Sequence, residues 1–72
     1  MKFILILEMP SRVNPPQRAS IKKELQKIAY EQPKRNVFLI EVEKESMIKK
    51  IKEWIITNSD PKSKVNYYQI VE

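Results

Sequence analysis

Hydrophobic positions cluster in three short runs along the chain, and two amphipathic stretches lie between them. The runs cover residues 2–8, 37–43 and 65–71 and are rich in β-branched, Leu and aromatic side chains. Short runs of this composition are typical of β-strands. The stretches at about 15–31 and 44–58 place apolar residues three and four apart, as a helix with one buried face requires. The pattern therefore predicts the element order β-α-β-α-β.

The boundaries of the two predicted helices carry signals of their own. Asn14 followed by Pro15 suits a helix start, with Asn as the N-cap and Pro at the first helical position. Pro33 ends the first helix, because its ring is incompatible with the preceding helical turn. Trp54 lies on the apolar stripe of the second helix, so we expect it to be part of the hydrophobic core.

The first strand is apolar on both alternating faces, which favours a central place in the sheet. Strands joined through helices are usually parallel and have right-handed crossovers. Strand order 2-1-3 would place one helix on each face. The sequence therefore predicts one α/β domain over residues 1–72, a small three-stranded sandwich with a mostly parallel sheet. Two alternatives stay open: an antiparallel third strand in a reduced ferredoxin-like sheet, and edge-to-edge pairing of two copies.

Composition excludes several classes of functional site. The chain has 72 residues and a net charge of +5, and it contains no Cys, no His and no Gly. Without Cys and His it lacks disulfides, the usual zinc ligands and Ser-His nucleophile pairs. Without Gly it lacks a P-loop or Rossmann phosphate loop. We therefore expect a non-enzymatic protein with no cofactor. We also expect a homodimer, because so small a domain buries only about 60% of its unfolded surface and self-association would bury more.

The apolar runs also bear on location. None of them approaches the ~20 residues of a membrane span, so we expect no membrane partner. The N-terminal run has one preceding Lys and no small-residue cleavage site, which favours a strand of a cytoplasmic protein over a signal peptide. A chain rich in Lys, Ile and Asn suits an AT-rich genome. An accessory protein of a phage, virus or mobile element would fit that composition.

Charged residues flank the runs, with Lys or Arg at the start and Glu at or near the end. In a parallel sheet the basic starts would meet on one rim and the acidic ends on the other. This placement complements the helix dipoles, and a purely structural role is the simpler interpretation. The functional interpretation is a basic rim that contacts nucleic-acid phosphates. Its residues would be Lys2, Lys34, Arg35, Lys62 and Lys64, with Lys49, Lys50 and Lys52 as an extension along the second helix.

Three carboxylates would meet on the opposite rim of such a sheet: Glu8, Glu41 and Glu43. Carboxylate oxygens suit Mg²⁺ and phosphodiester chemistry. Leu7-Glu8 and the later Glu-x-Glu pair together resemble the carboxylate pattern of a Toprim domain. The chain departs from that pattern in having Met9 in place of a Gly, Glu-x-Glu in place of Asp-x-Asp, and a shorter length. The resemblance implies an alternative function, a Mg-dependent phosphodiesterase or nuclease that uses these carboxylates.

The loop after the first strand is a third candidate site. Ser11 and Arg12 lie there, before a helix N-terminus, and would bind an anion at the topological switch point. The surrounding prolines offer a simpler interpretation, a stiff crossover without a further role. Taken together, these patterns favour a small, basic, non-enzymatic binding protein whose partner is another protein or nucleic acid.

Overall fold

The computed structural model describes residues 1–9, 15–59 and 62–71. Its elements are β1 (Lys2–Glu8), α1 (Pro15–Ile28), β2 (Ala29–Lys34), β3 (Val37–Glu41), α2 (Glu45–Thr57) and β4 (Lys64–Gln69). β1, β3 and β4 correspond to the three predicted strands, whereas β2 is additional. Asn14, the predicted N-cap of α1, lies outside the described residues. Neither helix is both long enough and apolar enough to cross a membrane.

The four strands form one antiparallel sheet in the order β2-β3-β1-β4. The predicted three-stranded, mostly parallel α/β sheet of order 2-1-3 is therefore wrong, and the protein has a small α+β fold. Its β-α-β-β-α-β element order is that of the split β-α-β motif. The reduced ferredoxin-like alternative also had one strand too few.

β2 is the physical reason for the difference. It follows α1 directly, and a short turn at Arg35 and Asn36 joins it to β3, so that β3 runs against β2. β3 then lies between β2 and β1 and is antiparallel to both. Pro33 is compatible with β2 because this is an edge strand. The pairing of β2 with β3 is interrupted by register shifts.

The hydrophobic core lies between one face of the sheet and the two helices. Alternate residues of each central strand point into it, as the two-residue period of a strand requires. Its side chains are Phe3, Leu5, Leu7, Ile21, Leu25, Phe38, Ile40, Val42, Ile48, Ile55 and Val65. Trp54 is 40% exposed, so its predicted core role is wrong. Ile48 and Ile55 form the buried face of α2 instead.

No described element covers the other face of the sheet, which we call the open face. Its centre consists of Ile4 and Ile6 of β1, which pair with Leu39 and Val37 of β3. All four of these side chains are only half-buried. Tyr68 of β4 lies opposite Ile4 and is 58% exposed. The sheet therefore has an apolar centre on its uncovered side as well as on its core side.

Candidate functional site

Antiparallel pairing redistributes the charged residues that were predicted to form the two rims. Lys2 pairs with Glu41 at one end of the sheet, and Glu8 pairs with Lys64 at the other. The structure therefore does not form one wholly basic and one wholly acidic rim. Four of the five residues predicted for the basic rim still lie together, where β1 ends and β3 and β4 begin: Lys34, Arg35, Lys62 and Lys64. The predicted extension, Lys49, Lys50 and Lys52, lies within α2 and does not line the cavity described below. Lys2 lies at the opposite end.

The predicted carboxylate set is divided in the same way. Glu8 lies at the end where β1 finishes, whereas Glu41 and Glu43 lie where β1 begins. There the N-terminal ammonium group of Met1 donates a hydrogen bond of 2.7 Å to the carbonyl oxygen of Val42. In the described part of the chain, no group of three or more carboxylates is placed to hold a metal ion. The structure thus does not bring the Toprim-like set together, because β1 and β3 run in opposite directions.

α1 adds two cations that are not among the predicted site residues. Arg18 and Lys22 are partly buried, and they line a cavity of about 160 Å³ together with Met9, Arg35 and Asn36. Their spacing of four residues places them on one side of the helix, and this spacing could have indicated the pair from the sequence. We call Arg18, Lys22, Lys34, Arg35, Lys62 and Lys64 the cationic end. The predicted anion-binding residues Ser11 and Arg12 lie outside the described residues.

The turn that carries Arg35 is held against the sheet by two hydrogen bonds. The amide of Leu7 donates to the carbonyl oxygen of Asn36 at 2.9 Å. The side-chain amide of Gln32 donates to the carbonyl oxygen of Arg35 at 3.0 Å. No residue in the described ranges has a positive φ, so the turn closes without the left-handed backbone that Gly favours. The backbone of Arg35 is therefore held in place beside α1.

A second set of contacts joins α1 to the end of α2. The side-chain amide of Gln17 donates to the carbonyl oxygen of Asn58. Asn58 in turn caps α2, because its backbone and side-chain amides donate to the carbonyl oxygen of Trp54 at 3.1 and 2.7 Å. The hydroxyl groups of Ser59 and Ser63 lie 2.5 Å apart, just before β4 begins. These contacts hold the start of α1 and the start of β4 at the same end of the molecule.

The electrostatics of Lys22 reflect this convergence. Partial burial lowers the pKa of the Lys22 ammonium group below its usual range, and the guanidinium groups of Arg35 and Arg18 lower it further. Both causes act against the charged form of Lys22. An anion between the three side chains would reduce their mutual repulsion. A perturbed pKa beside a cavity is a recognised feature of functional sites, so we take the cationic end as the candidate site.

A second concave surface lies between the helices. It is an apolar groove of about 290 Å³ with Glu24 and Lys50 as its charged lining residues. The apolar lining consists of Leu25, Ile28, Ile51 and Trp54. Ile28 is 48% exposed, so the groove is open to solvent. The exposure of Trp54 follows from its place in this groove.

The chain was compared with protein-family models, with curated proteins and with solved structures. None of these three comparisons finds a match. The functional interpretation therefore rests on the geometry and charge of the described residues.

Proposed function

We propose that this protein is a non-enzymatic binding protein whose cationic end contacts the phosphate backbone of nucleic acid. The observation that carries the proposal is the convergence of Arg18, Lys22 and Arg35 around one cavity. Guanidinium groups bind phosphate oxygens with two parallel hydrogen bonds, and an ammonium group binds them as a point charge. A phosphate group is thus the anion that this combination of side chains suits best.

The surrounding charge supports a polyanion over a single small anion. Lys34, Lys62 and Lys64 extend the positive surface beyond the cavity, and the chain as a whole carries a net charge of +5. Duplex DNA carries one negative charge per about 1.7 Å, which is denser than the charge of an acidic protein surface. Nucleic acid is therefore favoured over a protein partner. Contacts to the phosphate backbone carry no base information, so the proposed binding is independent of sequence.

The proposal includes a homodimer that acts in the cytoplasm, where nucleic acid is accessible. A domain of this size has a small core, and self-association would bury further apolar surface. Two copies would also present two cationic ends to one polyanion, which raises the overall affinity without new contacts. The proposal contains no catalytic step, because Glu8 lies at the opposite end of β1 from Glu41 and Glu43.

Binding to labelled single-stranded and duplex DNA and RNA at ~50 mM salt tests this proposal. We expect a dissociation constant tighter than about 100 µM that weakens steeply as salt is added, because bound phosphates release their counterions. The triple variant Lys22→Glu, Arg35→Glu and Lys62→Glu, which changes no charged residue of the open face, should abolish binding. Arg35 and Lys62 are exposed and Lys22 is partly buried on α1, so the fold should remain intact, as circular dichroism would show.

The matched control reverses three exposed lysines of the Lys44–Lys50 segment: Lys44→Glu, Lys49→Glu and Lys50→Glu. Both triple variants carry the same net charge, and only the first changes the cationic end. The control should therefore retain most of the binding. Equal losses in the two variants would show that net charge alone is responsible. Absence of wild-type binding at ~50 mM salt would reject the nucleic-acid proposal altogether.

A further inference from the structure

The open face is apolar at its centre, although no described residue outside the sheet covers it. The two central strands place four half-buried aliphatic side chains on this face: Ile4, Ile6, Val37 and Leu39. An antiparallel sheet can leave one face in water, but that face is then usually polar. A contiguous aliphatic surface with a polar border is typical of a site that a partner covers.

The strand register sorts the open face into rows that cross the strands. One row contains Glu31, Leu39, Ile4 and Tyr68, and the next contains Lys34, Val37, Ile6 and Asn66. On either side of these two rows lie the pairs Glu41 with Lys2 and Glu8 with Lys64. The charged residues of the described open face are thus three lysines and three glutamates: Lys2, Lys34, Lys64, Glu8, Glu31 and Glu41.

These balanced charges favour a second copy of the chain over a polyanion. The open face shares Lys34 and Lys64 with the cationic end, but there Glu31 and Glu8 balance them, so the face as a whole offers no net attraction to phosphate. A two-fold axis places the same surface patch of both subunits in contact, so each patch must be complementary to itself. An axis that crosses the strands midway between the two aliphatic rows would satisfy this. It would place Ile4 over Ile6, and Lys34 over Glu31.

The same axis brings the outer rows into register. Lys2 would then lie over Glu8 of the other copy, since both residues belong to β1 at similar distances from the axis. Each of the two ion pairs would occur twice, around an aliphatic centre. Sheets that pack face to face interdigitate their side chains at a separation of about 10 Å. The strand register within one chain therefore suffices to place opposite charges of the two copies over each other around an apolar centre.

We infer that the open face binds a second copy of this chain, face to face, through Ile4, Ile6, Val37 and Leu39. Lys34–Glu31 and Lys2–Glu8 pairs between the copies fix the orientation. The inference specifies the surface of the homodimer included in the proposed function, and it does not depend on nucleic-acid binding. Four strands about 4.8 Å apart and about six residues long give a face on the order of 20 by 20 Å. This area is below that of a standard interface, so we expect a micromolar dimer.

Edge-to-edge pairing through β4 is the competing arrangement. The amide of Ile70 donates to the carbonyl oxygen of Lys2 at 2.8 Å, so the amide of Gln69 points away from β1. Gln69→Pro would remove this outward donor and leave the internal hydrogen bonds intact. The other edge strand, β2, already contains Pro33 and register shifts, which discourage pairing with another sheet.

Sedimentation equilibrium without nucleic acid, from ~1 µM to ~1 mM protein, tests the inference. The wild type should approach twice the chain mass of 8.6 kDa. Ile4→Lys should remain monomeric, whereas Gln69→Pro should dimerise like the wild type. A wild type that stays monomeric at ~1 mM would overturn the inference. A dimer that survives Ile4→Lys and is lost in Gln69→Pro would also overturn it, in favour of the β4 edge.

A charge exchange tests the orientation and does not rely on the folding of Ile4→Lys. Lys34→Glu should weaken dimerisation at least several-fold, because it places two glutamates over each other. Adding Glu31→Lys should restore the wild-type dimer, and failure of the double variant would overturn the proposed axis. If the wild type is monomeric and Ile4→Lys loses nucleic-acid binding, the open face would be assigned to nucleic acid instead. Failure of nucleic-acid binding alone would leave the dimer result standing, so the two proposals are separable.

Discussion

Lys22 shows how tertiary contacts set the chemistry of a single side chain. Its pKa is lowered first by burial and then by Arg35 and Arg18. Arg18 is a neighbour on the same helix, and a search of the sequence would find it. Arg35 belongs to the β2–β3 turn, and only the fold brings it near. The electrostatics of this residue therefore depend on an element that the hydrophobic pattern did not predict.

We expect Arg35→Gln to raise the pKa of Lys22 toward its usual value of 10.5, because one of the two nearby positive charges is removed. NMR titration of the labelled Lys22 side chain would measure the change. Lys44→Gln, which removes a cation outside the cavity, serves as the control and should leave the Lys22 pKa unchanged. An unchanged pKa in Arg35→Gln would show that the two side chains do not share this cavity.

The same interaction has a consequence for stability as a function of pH. The pKa of Lys22 is lower in the folded state than in the unfolded chain. Between these two pKa values the unfolded chain binds more protons, so this contribution makes folding more favourable as pH rises through that window. Below the folded pKa the contribution is a constant destabilisation. Arg35→Gln should narrow the window, which urea denaturation at several pH values would detect as a second measurement of the same effect.

At the scale of elements, β2 marks the limit of the hydrophobic pattern. Its sequence, Ala29 to Lys34, has only one partly buried residue and contains Pro33. A strand of this kind is stabilised by backbone hydrogen bonds to its neighbour and by its place at the sheet edge. Neither contribution produces an alternation of apolar and polar residues. The predicted helix accordingly extended to residue 31 and included the first part of this strand.

The β2–β3 turn leads to a prediction about glycine. Two-residue hairpin turns usually need positive φ values, and Asn-Gly or Gly-containing turns supply them. Here Asn36 has no positive φ, so glycine at this position would only increase the freedom of the unfolded chain. We expect Asn36→Gly to lower the free energy of unfolding by about 0.4–1 kcal/mol, measured by urea denaturation.

Asn36→Ala is the matched control for this turn. Alanine adopts the same negative φ as the native residue, so its effect should be clearly smaller than that of glycine. Stabilisation by Asn36→Gly would instead indicate a left-handed residue at this position. The turn would then be one of the common glycine-type hairpin turns.

At the scale of the whole molecule, the direction of β3 relative to β1 can be tested by cross-linking. The amide of Leu7 donates to Asn36, so Lys2 and Glu41 form one of the close, non-hydrogen-bonded pairs of these strands. Their Cα atoms should lie about 4.5 Å apart, within the range of a disulfide. The double variant Lys2→Cys and Glu41→Cys should therefore oxidise to an intramolecular disulfide, seen as a loss of about 2 Da in the monomer mass.

Lys2→Cys with Lys34→Cys provides the control for the cross-link. A parallel sheet would place these two positions on one rim, whereas the antiparallel sheet places them at opposite ends. This variant should stay reduced within one chain under the same conditions. The chain has no native Cys, so no other thiol competes in either variant. The reverse outcome, cross-linking of the second pair alone, would contradict the antiparallel sheet.

The sequence by itself determined the two helices and the three apolar strands. The absence of Cys, His and Gly also excluded several classes of functional site. These features depend on residue type and on periodicity within one element. The tertiary structure alone decided the strand directions, because they depend on β2, which buries almost no side chain. Strand direction in turn separated Glu8 from Glu41, and the packing of α1 against the β2–β3 turn brought Arg18 and Lys22 to Arg35. Contacts between distant segments arise from backbone pairing and chain reversal, and the hydrophobic pattern predicts neither.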